Sequence, residues 1–252
     1  MVENLKKYQK KNIDFKKLSA HERIEVINVV YPLFSKRVAG WSFYRFKHEL
    51  FNTKNKYKIK IQLIYNREFK LIGFLYMSVL KITVKTEEII TQFYLVIDSE
   101  YTKNNLATSF CIKEVMKLKL TNFFSTLYVV DLVLSPIVYY QIAKYFPTVF
   151  PRPHTSPQNL EYFRKIIHHV YKKNNVKLKV TDDFVGSTDE KIKLSIHELE
   201  KLNKLSNKYT RFFIEKTKLD GKGLIIVLPL TAVSLLKGIY RFLHHKIRKK
   251  IT

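Results

Sequence analysis

The chain has 252 residues, of which 46% are hydrophobic; this is enough for a folded core and too many for a disordered chain. Its 46 Lys and Arg outnumber its 21 Asp and Glu, and the net charge of +25 favours nucleic acid, anionic lipid or an acidic protein as a partner. The single cysteine, Cys111, excludes an intramolecular disulfide and a cysteine-based zinc cage. Residues 1–17 lack the apolar segment of a signal peptide, so we expect a cytoplasmic protein.

Two helices are predicted before the first strands. Ser19 and Glu22 have the spacing of a capping box, which predicts a helix that begins near Ser19 and ends before Pro32. Residues 40–51 predict a second helix, with more aromatic side chains than one buried stripe requires. We interpret this surplus as core packing, and the alternative is the wall of a lipophilic pocket.

A strand-rich segment follows. Apolar and polar residues alternate over 57–63, and residues 71–84 form a longer β-rich run, so an antiparallel meander is predicted. Residues 91–97 are an apolar run of strand length, followed by a polar turn over 98–105 and then by apolar residues at helical spacing. The free amide groups of such a turn suit phosphate or pyrophosphate, and the alternative is an ordinary packing unit.

The second half continues the alternation of strands and helices. Residues 127–134 predict a strand parallel to 91–97, because one helix separates the two. Ser135 and Pro136 predict the start of a helix that ends before Pro147. The other predicted elements are a helix over 158–173, a strand over 177–180, a helix opened by the capping box Ser195–Glu198, and a closing antiparallel pair over 211–215 and 223–230.

Several catalytic and binding motifs are absent from the sequence. The six glycines form neither a dinucleotide-binding GxGxxG nor a phosphate-binding GxxxxGK[ST]. There is no HExxH, and the adjacent histidine pairs at 168–169 and 244–245 diverge on a helix, so no metal site is expected. No GxSxG nucleophile turn is present either.

The order of elements and two segments resemble the GNAT acyltransferase superfamily. IDSEYTKNNLATSF (97–110) is similar to the loop with which that family binds acyl-CoA, and LYVVDLVLSPIVYYQIAKYFPTVFP (127–151) is similar to its following strand and helix. The resemblance implies an α+β fold, a GNAT-like mixed and mostly antiparallel sheet with a central parallel strand pair flanked by helices. It also implies transfer of an acyl group from a thioester to an amine, with acyl-CoA or an acyl-carrier protein as co-substrate and no metal.

The donor-binding residues that the resemblance implies lie at the end of the first parallel strand, in the turn and at the start of the helix: Val96, Ile97, Asp98, Thr102, Lys103, Asn104, Asn105, Leu106, Ala107 and Thr108. Thr102 stands where the family has Arg or Gln, and Asn105 stands at a glycine position. Asn tolerates the left-handed backbone better than most residues, so the turn survives and backbone amides carry more of the binding.

The resemblance also implies a tyrosine that returns a proton to the thiolate. Tyr139 and Tyr140 follow the second parallel strand, with Tyr139 in the better register, and the alternative for both is core packing. Glu88, Gln92 and Asp131 are the candidates for a base or a water-positioning residue. A buried Asp131 within a strand has to be paired or functional.

We divide the chain into an acyltransferase domain, 1–230, and a basic amphipathic tail, 231–252. The tail places Leu235, Leu236, Ile239, Phe242, Leu243 and Ile247 on one side and basic residues on the other. This composition is typical of a helix that lies peripherally on an anionic membrane, and the alternative is a helix docked on the core.

The function predicted from the sequence is N-acyl transfer, with a long-chain donor and an acidic acyl-carrier protein as further possibilities. The alternative is a non-catalytic basic module of the same fold that binds anionic membrane or nucleic acid. Nucleic acid ranks below membrane because no base-reading motif is visible. The charges are also spread along the whole chain, so a solvated surface explains them equally well.

Overall fold

The computed structural model describes residues 8–104, 106–153, 160–174, 179–181, 183–187, 191–192, 207–219 and 221–251. The strands are β1 (Gln9–Asp14), β2 (Val38–Ala39), β3 (Lys58–Tyr65), β4 (Leu71–Thr83), β5 (Glu87–Ile97), β6 (Leu127–Val133), β7 (Lys179–Val180), β8 (Val185–Ser187), β9 (Lys191–Ile192) and β10 (Lys222–Leu230). The helices are α1 (Ala20–Arg37), α2 (Phe43–Arg45), α3 (Leu106–Thr121), α4 (Pro136–Tyr145), α5 (Leu160–Asn174), α6 (Lys208–Thr217) and α7 (Ala232–Ile251). A π-helical turn, Phe46–Leu50, continues α2, and 3-10 turns span Phe15–Lys17 and Ser99–Asn104.

Eight strands form one mixed sheet in the order β1-β3-β4-β5-β6-β10-β8-β7. β5 and β6 are parallel, and the other neighbours in this sheet are antiparallel. The α+β fold class, the mostly antiparallel sheet and the central parallel pair are therefore confirmed. Since α3 connects β5 to β6, the carboxyl ends of both strands lie at the same edge of the sheet.

Helices cover both faces of the sheet. On one face, the odd-numbered residues of β5 and β6 pack with α3, α4, α6 and α7, as Phe110, Tyr139, Phe213 and Leu235 show. The other face carries two clusters, one beneath α1 and the π-helical turn and one beneath α5. The aromatic surplus of residues 40–51 lies mainly in the first of these, because Trp41, Phe46 and Phe51 are buried there.

The first helix begins as the sequence predicts. Ser19 Oγ accepts from the Glu22 amide, and a Glu22 side-chain oxygen accepts from the Ser19 amide at 2.7 Å. Its predicted end before Pro32 is wrong, because α1 continues through Pro32 to Arg37. Burial of Leu33 and Phe34 in the core offsets the hydrogen bond that the proline lacks.

Two further predictions need correction. Residues 211–215 belong to helix α6, and β10 pairs with β6 and β8 instead of with them. No strand was predicted before residue 57, but residues 9–14 form the edge strand β1, which pairs with β3. The helix predicted from Ser195 and Glu198 lies outside the described residues.

The C-terminal amphipathic helix is present as α7, and its first half packs on the body of the protein. Leu235 is buried in the core, Phe242 meets Tyr145 with ring centroids 5.5 Å apart, and Gly238 lies against Phe146. Among the helices that the structure describes, none has the length and hydropathy needed to cross a membrane.

Candidate active site

The two parallel strands separate part-way along their length. They pair only through Ile89, Ile90 and Thr91 of β5 with residues 127–129 of β6, although β5 continues to Ile97 and β6 to Val133. Beyond Thr91 the strands leave a gap, which we call the split. It opens at the carboxyl edge of the sheet, where Leu95 is 38% exposed.

The backbone of β5 supplies hydrogen-bond donors to the split. Asp98 donates its amide to Ile72 on β4, and strand alternation therefore directs the amide of Val96 to β4 as well. The amides of Phe93, Leu95 and Ile97 face the opposite way, into the split. Of the predicted donor-binding amides at 96, 97 and 98, only that of Ile97 therefore faces the split.

Asp131 bridges the split. Its two carboxylate oxygens accept from the Phe93 amide at 3.0 and 3.2 Å. Burial raises the pKa of this carboxyl to about 8, and the hydrogen bond from Phe93 opposes part of that shift. Asp131 lies on the α3 face of the sheet near Cys111, whose pKa is raised by burial and further by the charge of Asp131. The split therefore contains a carboxyl group that gains or loses a proton near neutral pH.

Asp98, the first residue after β5, stabilises the following turn through hydrogen bonds and an ion pair. Asp98 Oδ1 accepts from the Glu100 amide at 3.4 Å, the Asp98 carbonyl accepts from the Tyr101 amide at 2.9 Å, and Oδ2 pairs with Lys36 Nζ at 3.2 Å. Burial raises the pKa of Asp98, but the bonds to Lys36 and Glu100 outweigh burial, and the net pKa is lowered. Asp98 is therefore an anion that caps the 3-10 turn and ties it to α1.

The remaining donor-binding predictions lie along this turn and the start of α3. The backbone at 102–104 belongs to the 3-10 turn, while the side chains of Thr102, Lys103 and Asn104, and all of Asn105, lie outside the described residues. Leu106 is buried in the α3 core, and Ala107 and Thr108 are half-buried on the first turn of α3. The helix thus begins beside the split.

The two tyrosines of α4 differ in their surroundings. Tyr139 is wholly buried, its hydroxyl donates to the Pro151 carbonyl at 2.7 Å, and burial raises its pKa. Tyr140 is half-buried, beside the ring of Tyr209 and beneath the ammonium of Lys144. The Tyr139 hydroxyl is therefore committed to a backbone partner, whereas Tyr140 lies nearer to solvent.

Glu88 and Gln92 lie on the opposite face of β5 from Asp131. Glu88 is buried, and one of its oxygens accepts from Thr86 at 3.0 Å and from the Tyr162 hydroxyl, while its other oxygen has no hydrogen-bond partner. Gln92 accepts from Asn174 of α5 at 2.6 Å. The structure thus separates the three candidate bases between two faces, with Asp131 alone on the α3 face.

Three contributors to this site were not predicted from the sequence. They are the Phe93 amide, Lys36 as the partner of Asp98, and Tyr162 as the partner of Glu88. Lys36 and Asp98 are 62 residues apart, and Tyr162 and Glu88 are 74 apart. No local pattern indicates such pairs, because they form only when the sheet and helices assemble.

No family model and no curated protein matches the chain. Similar solved structures include a GNAT-family N-acetyltransferase, YhbS, from Escherichia coli in complex with CoA (14% identity, TM-score 0.38, 54% of this chain and 67% of that chain). They also include glucosamine-6-phosphate N-acetyltransferase from Arabidopsis thaliana (12%, 0.32, 69% and 94%) and the NatC complex bound to Gag peptide and CoA (11%, 0.39, 89% and 99%).

The chain has a GNAT-like fold. The assignment rests on its own strand order and on the parallel pair β5–β6, which separates beyond Thr91. Within this GNAT-like fold, Asp131 lies on the α3 side of the sheet, while Glu88 and Gln92 lie on the α5 side.

Proposed function

We propose that the protein is an N-acyltransferase that moves an acyl group from an acyl thioester to an amine. The observation that carries this proposal is the split between β5 and β6, where a carboxyl group with a pKa of about 8 meets a row of strand amides. Strand amides that are free of sheet pairing suit the carbonyl groups of an extended acyl-pantetheine arm.

Asp131 is the residue that we propose moves the proton. The amine nitrogen attacks the thioester carbonyl carbon, the C–N bond forms and the C–S bond breaks. The nitrogen loses one proton to the Asp131 carboxylate, and the leaving thiolate takes up that proton from the resulting carboxylic acid. A group with a pKa of about 8 suits both transfers near neutral pH. Tyr140 is the second candidate to donate this proton to the thiolate. Tyr139 is a weaker candidate, because its hydroxyl already donates to the Pro151 carbonyl.

The class of acyl donor is proposed from the turn after β5 and from the net charge of the chain. The 3-10 turn and the start of α3 follow β5, and the amide groups of such a turn suit a pyrophosphate, so we propose acyl-CoA as the first donor to test. The net charge of +25 suits an acidic acyl-carrier protein as the other donor, and a long acyl chain and peripheral membrane attachment through 231–252 belong to the same proposal.

One observation favours a second candidate function, a non-catalytic binding module. The amides of Glu100 and Tyr101 already bond to Asp98, so at least two amides of the turn are not free for a phosphate in this conformation. Titration calorimetry with acetyl-CoA, a long-chain acyl-CoA and an acylated carrier protein separates the two. Binding of one donor that is lost on adding free CoA supports acyl transfer. Absence of binding by all three would overturn it in favour of the module.

A further inference from the structure

Two exposed aromatic rings lie on a hydrogen-bonded turn at the end of α3. Phe124 is 98% exposed and Phe123 is 56% exposed, and their ring centroids lie 5.4 Å apart. Lys119 Nζ donates to the Ser125 carbonyl at 2.8 Å, and the Asn122 side chain donates to the Leu118 carbonyl at 2.9 Å. Because these bonds fix the turn, both rings are presented to solvent by a rigid support.

α7 carries a second exposed apolar stripe beside this turn. Val233, Leu236 and Tyr240 are 59%, 65% and 68% exposed, on the side of the helix away from Leu235 and Gly238. Leu230, just before α7, pairs with Leu127, just after the aromatic turn, and α7 contacts α3. The stripe and the turn therefore lie at the same edge of the sheet, opposite the split.

Leu120, Phe123, Phe124, Val233, Leu236 and Tyr240 form what we call the apolar platform. Basic residues border it on both helices, with Lys113 and Lys117 exposed on α3 and Lys237 and Arg241 exposed on α7. The acidic residue of α3, Glu114, is buried and pairs with Lys117 at 3.2 Å, and the sequence contains no acidic residue after Asp220. The platform thus combines protruding apolar groups with a cationic border.

We propose that the apolar platform is a docking surface for an anionic lipid bilayer. The rings project from the protein instead of lining a groove, so a soft interface accommodates them without a matching cavity. The surrounding lysines and arginine complement anionic headgroups. The inner face of α7 is docked on the core, so the bilayer meets Leu236 and Tyr240 together with the α3 turn. This inference does not depend on acyl transfer.

Vesicle sedimentation of the full chain tests the platform. Vesicles of phosphatidylcholine alone are compared with vesicles that also contain phosphatidylserine. We expect binding to the anionic vesicles, a roughly tenfold or greater loss of partition for Phe123→Ser/Phe124→Ser, and no change for Tyr44→Ser, a matched aromatic that is 75% exposed elsewhere. Lys237→Gln/Arg241→Gln should weaken binding to the anionic vesicles only.

The single variant Phe124→Ser keeps the test decisive if the double variant folds poorly, because a side chain 98% exposed contributes little to folding. Absence of binding by the parent chain, or equal binding by Phe124→Ser and the parent, would overturn the proposal. It would also be overturned if sedimentation velocity showed a dimer that Phe124→Ser dissolves while vesicle binding is unchanged, since the platform would then join two copies of this chain.

Discussion

The carboxylate of Asp131 on β6 accepts a hydrogen bond from the Phe93 amide of β5 at 3.0 Å. In a continuous sheet, a backbone carbonyl of the neighbouring strand would accept this bond instead. The parallel strands have separated at this point, so a side chain spans the distance that backbone groups no longer cover. The same bond occupies one of the three β5 amides that face the split, while those of Leu95 and Ile97 face it as well. A donor that took the Phe93 amide would displace Asp131 and free its carboxylate.

Substitution of Asp131 by Asn tests the proton-transfer role. Asn keeps an oxygen that accepts from Phe93 but cannot carry the proton, so kcat should fall roughly 100- to 10,000-fold while donor binding changes little. The measurement is steady-state kinetics with calorimetric donor affinities. Glu88→Gln is the comparison on the other face of β5, and a larger loss there than for Asp131→Asn would transfer the role to Glu88.

The raised pKa of Asp131 also affects stability. Between its ordinary pKa near 4 and its folded value of about 8, the folded state holds a proton that the unfolded state has released, so stability falls as pH rises through this range. Asp131→Asn removes this contribution. Relative to the parent, the variant should gain about 1 to 3 kcal/mol in the free energy of unfolding from pH about 5 to about 8, then level off. Urea unfolding curves that shift in parallel across this pH range would contradict the assignment.

The two tyrosines of α4 are expected to differ on removal of the hydroxyl. Tyr139→Phe loses the buried bond to Pro151 and should lower the free energy of unfolding by about 1 to 2 kcal/mol with kcat nearly unchanged. Tyr140→Phe should leave stability within about 0.5 kcal/mol and, if Tyr140 supplies the proton, lower kcat roughly tenfold or more. Denaturant unfolding and kinetics on both variants make the comparison. Loss of kcat in a fully folded Tyr139→Phe would assign the acid role to Tyr139.

Gly238 tests whether α7 belongs to the folded body. A Cβ at this position would lie 2.3 Å from Phe146 Cε1, so Gly238→Ala should cost about 1 to 2 kcal/mol despite the better helix propensity of Ala. Leu236→Ala, on the exposed side of the same helix, is the control and should change stability by less than about 0.5 kcal/mol. If urea unfolding were identical for both variants, residues 231–252 would not be packed on the folded body.

Local chemistry was sufficient to predict much of the fold. The capping box at Ser19 and the single helix between 91–97 and 127–134 each act over a short stretch of chain, and each prediction is confirmed. The misassigned elements depend on the assembled sheet. β1 is polar along most of its length and becomes a strand only by pairing with β3, and 211–215 contains aromatic residues that suit a strand but pack as α6.

The sequence predicted which kinds of residue form the candidate site, but not how those residues are arranged. Asp131 was singled out because a carboxyl group within an apolar strand needs a partner, and that partner proved to be a backbone amide. Which face of β5 carries each candidate follows from strand alternation, but the sequence does not say which face lies beneath α3. Lys36 could not be found in advance, since its contact with Asp98 requires α1 to lie over the end of β5.

Helix α3 connects the split to the aromatic turn of the apolar platform, so its length sets the distance between them. Its 16 residues span about 24 Å, from Leu106 beside the split to Thr121 beside the aromatic turn. A protein resting on a bilayer through the apolar platform would carry the split at the far end of α3 from the aromatic turn, at the opposite edge of the sheet. Thioesters would then reach the enzyme from the aqueous phase on a water-soluble carrier, and the bilayer would serve to localise the protein instead of delivering its acyl chains.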